Sequence, residues 1–142
     1  MKPVKYQFLV NWGDTDAAGI VYYPNYYKWM DQASHHLFSI HGYKVSELFK
    51  NEKMGLPLLE AKCQFKSPLF FEDEVYVLSI VKEIRNKVFI IEHEFKKGDI
   101  EIANGYEIRA WTDFSNGKPK AVSIPEVVRL AFFGDESDRK II

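Results

Sequence analysis

Residues 13–42 read GDTDAAGIVYYPNYYKWMDQASHHLFSIHG and join a loop of small residues to a long apolar pattern. Proline at position 24 suits the first turn of a helix, because its missing N–H would have no partner there. Apolar side chains then recur every three or four residues, as in a buried helical stripe. These are Tyr26, Trp29, Met30, Ala33, Leu37 and Ile40. With Gly42 as the helix stop, the pattern predicts a central helix of about five turns.

The segments on either side of this helix predict β-structure. Residues 4–12 alternate between apolar and polar positions and predict a strand. The side chains expected on its apolar face are Tyr6, Phe8, Val10 and Trp12. Downstream, Ser46 is expected to cap a second, short helix. Four more strands are predicted at residues 56–66, 74–84, 88–96 and 100–114, and a last helix at 126–133.

This order of elements predicts an α+β fold. Helices that are segregated from an antiparallel meander indicate a five-stranded antiparallel sheet wrapped around the long helix. No repeat, low-complexity tract or linker interrupts the pattern, so residues 1–142 are expected to form one domain.

The composition argues against several classes of protein. Hydrophobic residues make up 46% of the 142 residues and charged residues 27%, which is typical of a folded globular chain. The balance of 19 Lys and Arg against 20 Asp and Glu argues against a generally basic nucleic-acid binder. The chain also lacks a signal-peptide pattern and the roughly 20 apolar residues of a membrane span. We therefore expect a soluble, cytoplasmic protein.

Residues with metal-binding or nucleophilic chemistry are few. Cys63 is the only cysteine, so an internal disulfide is impossible, and its mid-strand position favours a packing role. The four histidines lack the spacing of a helical metal site; they are His35, His36, His41 and His93. Residues 14–19 are similar to the start of a calcium loop, but Asn25 stands where that loop needs glutamate. We therefore expect no metal.

The loop before the central helix carries two carboxylates, Asp14 and Asp16, beside the small residues 17–19. One interpretation is a solvated turn with an aspartate cap. The other is a reaction site, because small residues let a ligand approach the backbone. Unpaired N–H groups at a helix start can polarise a carbonyl. A nearby carboxylate could then act as base or nucleophile, which is the minimum needed for acyl transfer.

The same residues resemble a known family. Residues 13–26 closely resemble the signature of the 4-hydroxybenzoyl-CoA thioesterase family, which has the hotdog fold. The resemblance continues, in order, through residues 29–31, 55–57, 67–73, 82–89 and 118–125. It implies a hotdog-fold enzyme that hydrolyses an acyl-CoA thioester, with coenzyme A as part of the substrate and no separate cofactor.

The resemblance also implies roles for individual residues. Asp16 matches the catalytic aspartate of the family, as nucleophile or base. The backbone N–H of Tyr23 matches the group that binds the thioester carbonyl, and Gly19 belongs to the same loop. Asp31 matches a position near the acyl ring, although an ordinary helix-surface acid is an equal alternative. Asp14 is expected to structure the loop.

Some positions depart from the family pattern. Val88 stands where the family often has a small hydroxyl residue. Pro24 stands where relatives that act on short aliphatic acyl groups often have histidine, which favours an aromatic acyl group. Glu60 lies on a strand expected to face the helix, where an ordinary strand role is favoured over a catalytic one.

The phosphates of coenzyme A require a basic surface. The family resemblance and the positive charge select four residues, with ordinary surface charge as the alternative: Arg85, Lys87, Lys118 and Lys120. Arg85 is preferred because a guanidinium pairs with phosphate through a planar fork.

Two other functions and one oligomeric state are compatible with the sequence. A hotdog hydratase or dehydratase usually needs an Asp/His pair, and residues 13–26 contain no histidine. A non-catalytic acyl-CoA or lipid-binding module would keep the basic surface but would not need Asp16. Exposed sheet edges favour association of copies. We expect a homotetramer with a dimer as the minimum unit and each site at a subunit boundary.

Overall fold

A 17-residue helix, Pro24–Ile40 (α1), lies against one face of a five-stranded antiparallel sheet. The computed structural model describes residues 2–133. The strands of this sheet are β1 (Val4–Leu9), β3 (Leu58–Phe65), β4 (Glu74–Ile84), β5 (Val88–Lys97) and β6 (Ile100–Ala110). Their order across the sheet is β1-β4-β5-β6-β3, so β1 and β3 are its edges. The predicted α+β architecture is confirmed.

Smaller elements complete the described chain. Two further helices are α2 (Val45–Glu52) and α3 (Glu126–Phe133). A second sheet, which the sequence did not predict, has the order β2-β7-β8. Its strands are two residues each: β2 (Met54–Gly55), β7 (Thr112–Asp113) and β8 (Lys120–Ala121).

Four local predictions were wrong. The strand predicted at 100–114 ends at Ala110, because the chain leaves the large sheet there and Thr112–Asp113 pairs in the second sheet. Trp12 is 76% exposed and does not extend the face of β1, because the chain turns into a 3-10 helix at Trp12–Asp14. The backbone N–H of Asn11 donates to the Asp14 carboxylate at 2.8 Å and stabilises that turn. Ile40 is 60% exposed, and Phe38 is the residue buried at that end of α1. Ser46 lies inside the first turn of α2, whose N-cap is Lys44.

The space between α1 and the sheet holds two apolar clusters. The first half of the helix contributes Trp29 and Met30 to one cluster, and the second half contributes Leu37 and Phe38 to the other. At Gly105 the helix approaches β6 closely, since a Cβ there would lie 2.8 Å from the Met30 sulfur. A glycine is needed at this point because a Cβ would also lie 2.7 Å from the backbone carbonyl oxygen of Lys62 on β3, which cannot move aside as the flexible Met30 side chain can.

A polar layer separates the two apolar clusters, which the sequence did not predict. Its members are at most 5% exposed: Ser34, Ser79, His93, Glu107 and Arg109. Glu107 accepts hydrogen bonds from the Ser34 hydroxyl and from Arg109 Nη2, the latter at 3.0 Å. His93 Nε2 lies 3.2 Å from the same carboxylate, and its Nδ1 lies 2.6 Å from the Ser79 hydroxyl. The layer therefore joins α1 to three strands through hydrogen bonds.

Candidate active site

The loop that precedes α1 is fastened to one end of the large sheet. The backbone N–H of Val10 donates to the carbonyl of Asp73 at 3.0 Å, and Glu72 donates back to the carbonyl of Val10 at 2.9 Å. Val21 donates to the carbonyl of Leu69 at 2.9 Å. The loop is therefore held at both of its ends by residues 69–73.

Asp14 has the loop-structuring role that the sequence predicts. Besides its side-chain bond to Asn11, its carbonyl accepts hydrogen bonds from the Tyr22 amide at 2.9 Å and from Asn25 Nδ2 at 2.8 Å. Its carboxylate also lies 3.8 Å from Lys28 Nζ. These contacts set the position of the chain just before the helix begins.

Asp16 lies in a tight turn at the exposed side of this loop. Its amide donates to the carbonyl of Ile20, and its carbonyl accepts from Gly19, both at 2.9 Å. Gly19 has a φ of +81°, a left-handed conformation that favours glycine. Carboxylate Oδ1 accepts from the Ala18 amide at 2.9 Å, whereas Oδ2 receives no hydrogen bond from residues 2–133. The carboxylate is thus oriented through one oxygen, with the other available.

The first turn of α1 leaves one amide without a partner. Asn25 donates its backbone N–H to the carbonyl of Tyr22 at 3.0 Å, and Tyr26 donates to that of Tyr23 at 3.1 Å. Pro24 has no N–H. The Tyr23 amide has no acceptor within the described residues. It stands at the positive end of the helix dipole, where a carbonyl oxygen or an oxyanion would be stabilised.

An apolar cavity of about 290 Å³ opens beside this helix start. It is lined by Ile20, Val21, Tyr23, Tyr26, Phe65, Lys66, Ser67 and Pro68. The rings of Tyr26 and Phe65 meet edge to face, with centroids 4.9 Å apart. The cavity therefore joins an aromatic wall to the residues that flank the Tyr23 amide.

Of the four predicted phosphate-binding residues, Arg85 and Lys87 lie in the turn at one end of the large sheet, and Lys118 and Lys120 lie before and on β8 of the small sheet; we call this region the basic end. Ile124 donates its amide to the carbonyl of Asn86 at 2.9 Å, which brings the segment after β8 beside the 85–87 turn. Arg85 and the lysines 87, 118 and 120 are exposed. Arg85 Nε pairs with Glu83 at 3.2 Å. Arg129, which the sequence analysis missed, donates to the carbonyls of Arg85 and Asn86 and supports the turn.

Within one chain this basic end lies far from Asp16. Leu9 pairs with Glu74 at the start of β4, where the loop of Asp16 is attached. Arg85 directly follows Ile84, the last residue of β4, and Ile84 is ten positions after Glu74 at the other end of the strand. At the usual rise, ten strand residues span about 33 Å. A single chain does not bring the carboxylate and the basic turn together.

Asp31 is tied to the polar layer. Its carboxylate Oδ1 accepts from Arg109 Nη2 at 2.8 Å and lies 3.5 Å from His35 Nδ1. The side chain is 51% exposed, so the other face of the carboxylate is open. Arg109 was not predicted as the partner of Asp31. Gly105, Glu107 and Arg109 follow one another at every second position of β6, and this alternation indicates that they share the face towards α1.

Two other candidates are placed away from this site. Glu60 accepts a hydrogen bond from the Tyr106 hydroxyl. Because Glu107 faces α1, its neighbour Tyr106 is on the opposite face, and Glu60 is there with it. Glu60 therefore lies on the face of the sheet that is turned away from α1. Burial raises the pKa of the Cys63 thiol to about 11, which fits a packing role.

Residues 10–132 match the thioesterase-like superfamily. This chain belongs to that superfamily. Its relatives include the 4-hydroxybenzoyl-CoA thioesterase of Pseudomonas sp. strain CBS-3, which is 27% identical over 131 residues that cover 87% of this chain and 93% of that protein. A putative esterase of Aquifex aeolicus is 32% identical over 128 residues, covering 89% and 94%.

Solved structures confirm the hotdog fold of this superfamily member. A gentisyl-coenzyme A thioesterase is 49% identical, with a TM-score of 0.79, and the match covers 91% of this chain and 98% of that one. A mutant 4-hydroxybenzoyl-CoA thioesterase in complex with 4-hydroxybenzoyl-CoA superimposes with a TM-score of 0.86 at 24% identity, covering 93% and 99%. The chain is an acyl-CoA thioesterase by these relationships.

Other features of this thioesterase concern metals and membranes. In the part of the chain that the structure describes, no group of three or more His, Cys, Asp and Glu side chains is placed to hold a metal ion. None of the helices within residues 2–133 combines the length and the apolar character needed to span a bilayer.

Proposed function

We propose that this thioesterase hydrolyses an aromatic acyl-CoA, with Asp16 as nucleophile or general base and the Tyr23 amide as the carbonyl-binding group. One observation carries the proposal: an amide without an acceptor begins α1, and the same short loop holds a carboxylate with one unbonded oxygen. Nothing in the arrangement requires a cofactor besides the coenzyme A of the substrate itself.

The reaction is derived from these two groups. The thioester carbonyl accepts a hydrogen bond from the Tyr23 amide, which polarises it and stabilises the oxyanion that forms. In one route Asp16 removes a proton from water, the hydroxide adds to the carbonyl carbon, and the thiolate of coenzyme A leaves and takes up that proton. In the other route Asp16 attacks directly, expels the thiolate and forms an anhydride that water then hydrolyses. Both routes need the same two groups.

An aromatic acyl group fits the cavity beside the helix start. Its wall includes the rings of Tyr26 and Phe65, and rings pair favourably with rings in edge-to-face geometry. Two kinds of relative named above are, by their names, thioesterases for 4-hydroxybenzoyl-CoA and gentisyl-CoA, whose acyl groups are aromatic. The direct test measures thiol release from benzoyl-CoA and hydroxybenzoyl-CoA beside acetyl-CoA and hexanoyl-CoA. We expect the aromatic thioesters to have the higher kcat/KM.

We propose that the basic end of one chain binds the phosphates of a coenzyme A thioester whose acyl group lies at the Asp16 loop of a second copy of the chain. The two sets of residues lie too far apart to serve one substrate in one chain, as the length of β4 shows. The edge strand β3 pairs with β6 on one side only and exposes apolar side chains at Leu58, Leu59 and Phe65. An open, apolar strand edge favours pairing with another copy. We therefore propose a homotetramer built from dimers.

Arg85→Ala is expected to raise KM for acyl-CoA about tenfold and to change kcat little. A remote phosphate contact contributes to substrate binding and not to the transition state, and a charge-assisted bond contributes roughly 1.5–3 kcal/mol before screening by solvent. The measurement compares acyl-CoA with a short thioester of the same acyl group without the nucleotide. Lys82→Ala, which removes an exposed cation paired with Glu92, is the matched control. Equal damage to both substrates would rule out Arg85 as a phosphate ligand.

Mixed oligomers of Asp16→Asn and Arg85→Ala chains are expected to be more active than either parent. In a two-fold dimer with shared sites, one site of the mixed pair keeps both native residues, so activity below KM should recover to roughly half of wild type. Co-expression with two affinity tags isolates the mixed species. Activity equal to the mean of the parents, or a solution mass of 16.6 kDa at micromolar concentration, would contradict a shared site.

A further inference from the structure

Both ends of the loop that carries Asp16 are bonded to one short turn, residues 69–73. The turn exchanges two backbone hydrogen bonds with Val10 and accepts a third from Val21 at 2.9 Å. Both valines are at most 4% exposed, so this attachment is part of the core. Asp16 lies between them in the chain, and Tyr23 follows Val21 by two positions. The shape of the turn therefore sets how the two ends of the loop stand relative to each other, and with them Asp16 and the Tyr23 amide.

The backbone of this turn needs support from a side chain. Glu72 has a φ of +71°, a left-handed conformation that is unfavourable for a residue other than glycine. The Asp73 amide donates to the carbonyl of Phe70 at 3.1 Å and closes the turn once. The Asp73 carboxylate closes it a second time, because its Oδ2 accepts from the Phe70 amide at 2.8 Å. Asp73 therefore holds the turn through both its backbone and its side chain.

The other oxygen of the same carboxylate is anchored to the large sheet. Asp73 Oδ1 accepts a hydrogen bond from Nζ of Lys97, the last residue of β5, at 2.7 Å. The Asp73 side chain is 12% exposed and that of Lys97 is 42% exposed, so solvent and salt screen this ion pair less than a fully exposed one. Because β5 is the middle strand of the sheet, the ion pair fastens the turn to a rigid element.

We propose that Asp73 is a positioning residue for the hydrolytic reaction, and that its ion pair with Lys97 anchors the turn that holds the Asp16 loop. The inference rests on the proposed function in that it takes Asp16 and the Tyr23 amide as the reacting groups. Neither Asp73 nor Lys97 lines the cavity beside the helix start or belongs to the basic end. Their effect on the reaction is therefore transmitted through the loop and not through contact with the substrate.

The test measures kcat and KM for an acyl-CoA that wild type hydrolyses, at a temperature at which thermal unfolding shows each variant to be folded. Asp73→Ala is expected to lower kcat about 10- to 100-fold, because a displacement of about 1 Å at the reacting groups can cost about a hundredfold. Lys97→Met keeps the bond to Phe70 and is expected to lower kcat about 3- to 10-fold. Lys97→Arg keeps a cation for Asp73 and should retain most of the wild-type kcat. In both impaired variants kcat/KM should fall by the same factor as kcat, since alignment acts in the transition state.

Two comparisons separate positioning from a general loss of stability. Lys96→Met removes the neighbouring lysine of β5, whose partner is Glu94 at 3.4 Å, and should leave kcat unchanged. Asp73→Ala and Lys97→Met are also made in the Asp16→Asn variant. There each should lower the remaining rate by less than about twofold, because an effect that acts through Asp16 disappears when Asp16 is replaced.

Each outcome bears on the inference. A kcat near that of wild type in Lys97→Met, or in folded Asp73→Ala, would overturn it. So would an equal loss in Lys96→Met, or an undiminished loss in the Asp16→Asn background. If Asp73→Ala does not fold, Lys97→Met and its rescue by Lys97→Arg decide the question. The proposed function would fail in a different way, through a wild-type kcat in Asp16→Asn alone.

Discussion

Asp16→Asn is expected to fold as wild type does and to lose turnover by a factor on the order of a hundred or more, as for a missing base or nucleophile. Asparagine keeps the side-chain oxygen that accepts the Ala18 amide at 2.9 Å, so the turn at Gly19 is preserved. What the variant loses is the negative charge and the second oxygen. The measurement is kcat for an aromatic acyl-CoA, with thermal unfolding as the check on folding.

The matched control for this prediction is Asp99→Asn. Asp99 is an exposed aspartate in the turn between β5 and β6, so the same chemical change is made away from the loop. A kcat of Asp16→Asn close to that of wild type would contradict the proposed role of Asp16 as nucleophile or base. Binding of acyl-CoA without hydrolysis by the wild-type protein would instead favour the non-catalytic binding module.

Arg109→Met is expected to destabilise the folded protein by roughly 3–5 kcal/mol near neutral pH, the usual cost of removing one member of a buried ion pair. Arg109 donates to Glu107, to Asp31 and, at 3.0 Å, to the carbonyl of Leu56. Without it the carboxylate of Glu107 stays buried beside His93 without its cation. Urea unfolding at constant pH measures the loss.

The same variant should show a characteristic pH dependence. Burial would raise the pKa of Glu107, but hydrogen bonds with His93 and Arg109 and the charge of Arg109 outweigh it and lower the pKa from 4.5 to about 2. Because the pKa of Glu107 is lower in the folded state than in the unfolded state, the ionised carboxylate stabilises the folded protein at pH values above 4.5. This stabilisation is lost as the pH falls from 4.5 towards 2. In Arg109→Met this stabilisation is largely absent. The difference in the free energy of unfolding between wild type and Arg109→Met should therefore become smaller as the pH falls below 4.5.

A double variant separates the ion pair from the packing around it. Glu107→Leu with Arg109→Met replaces both charges with apolar side chains, and such replacements are often neutral or stabilising. We expect the double variant to be markedly more stable than Arg109→Met alone. A double variant as unstable as the single one would show that shape at Arg109, and not the unpaired charge, causes the loss.

The polar layer has a structural consequence for the site. It joins the middle of α1 to β4, β5 and β6 through hydrogen bonds that allow one register only. Apolar side chains alone tolerate sliding of a helix along a sheet, whereas directional bonds do not. The layer therefore helps to define where the helix, and with it the Tyr23 amide, stands relative to the sheet.

The elements whose signals are local could be predicted from residue patterns alone. The stripe from Tyr26 to Leu37 between Pro24 and Gly42 predicts α1, and the β4 and α3 bounds agree with the structure. The residues of the candidate site also lie in one stretch of sequence, because Asp16 and Tyr23 are seven positions apart in one loop, and the family resemblance implies their roles. Hydrogen bonds between near neighbours shape that loop, so its residue pattern carries the information.

Contacts between residues far apart in sequence could not be predicted in this way and are known from the folded structure. Glu107 and Arg109 look like solvent-facing positions of a strand, and they are buried because Ser34 and Asp31 come from a helix more than 70 positions earlier. The small sheet likewise depends on a distant pair, because Met54 of β2 pairs with Asp113 of β7. The separation of Asp16 from Arg85 follows from strand order and length. The periodicity of apolar residues predicts which face of a helix or strand is buried. It does not predict which distant segment packs against that face, and such contacts therefore could not be predicted from local patterns.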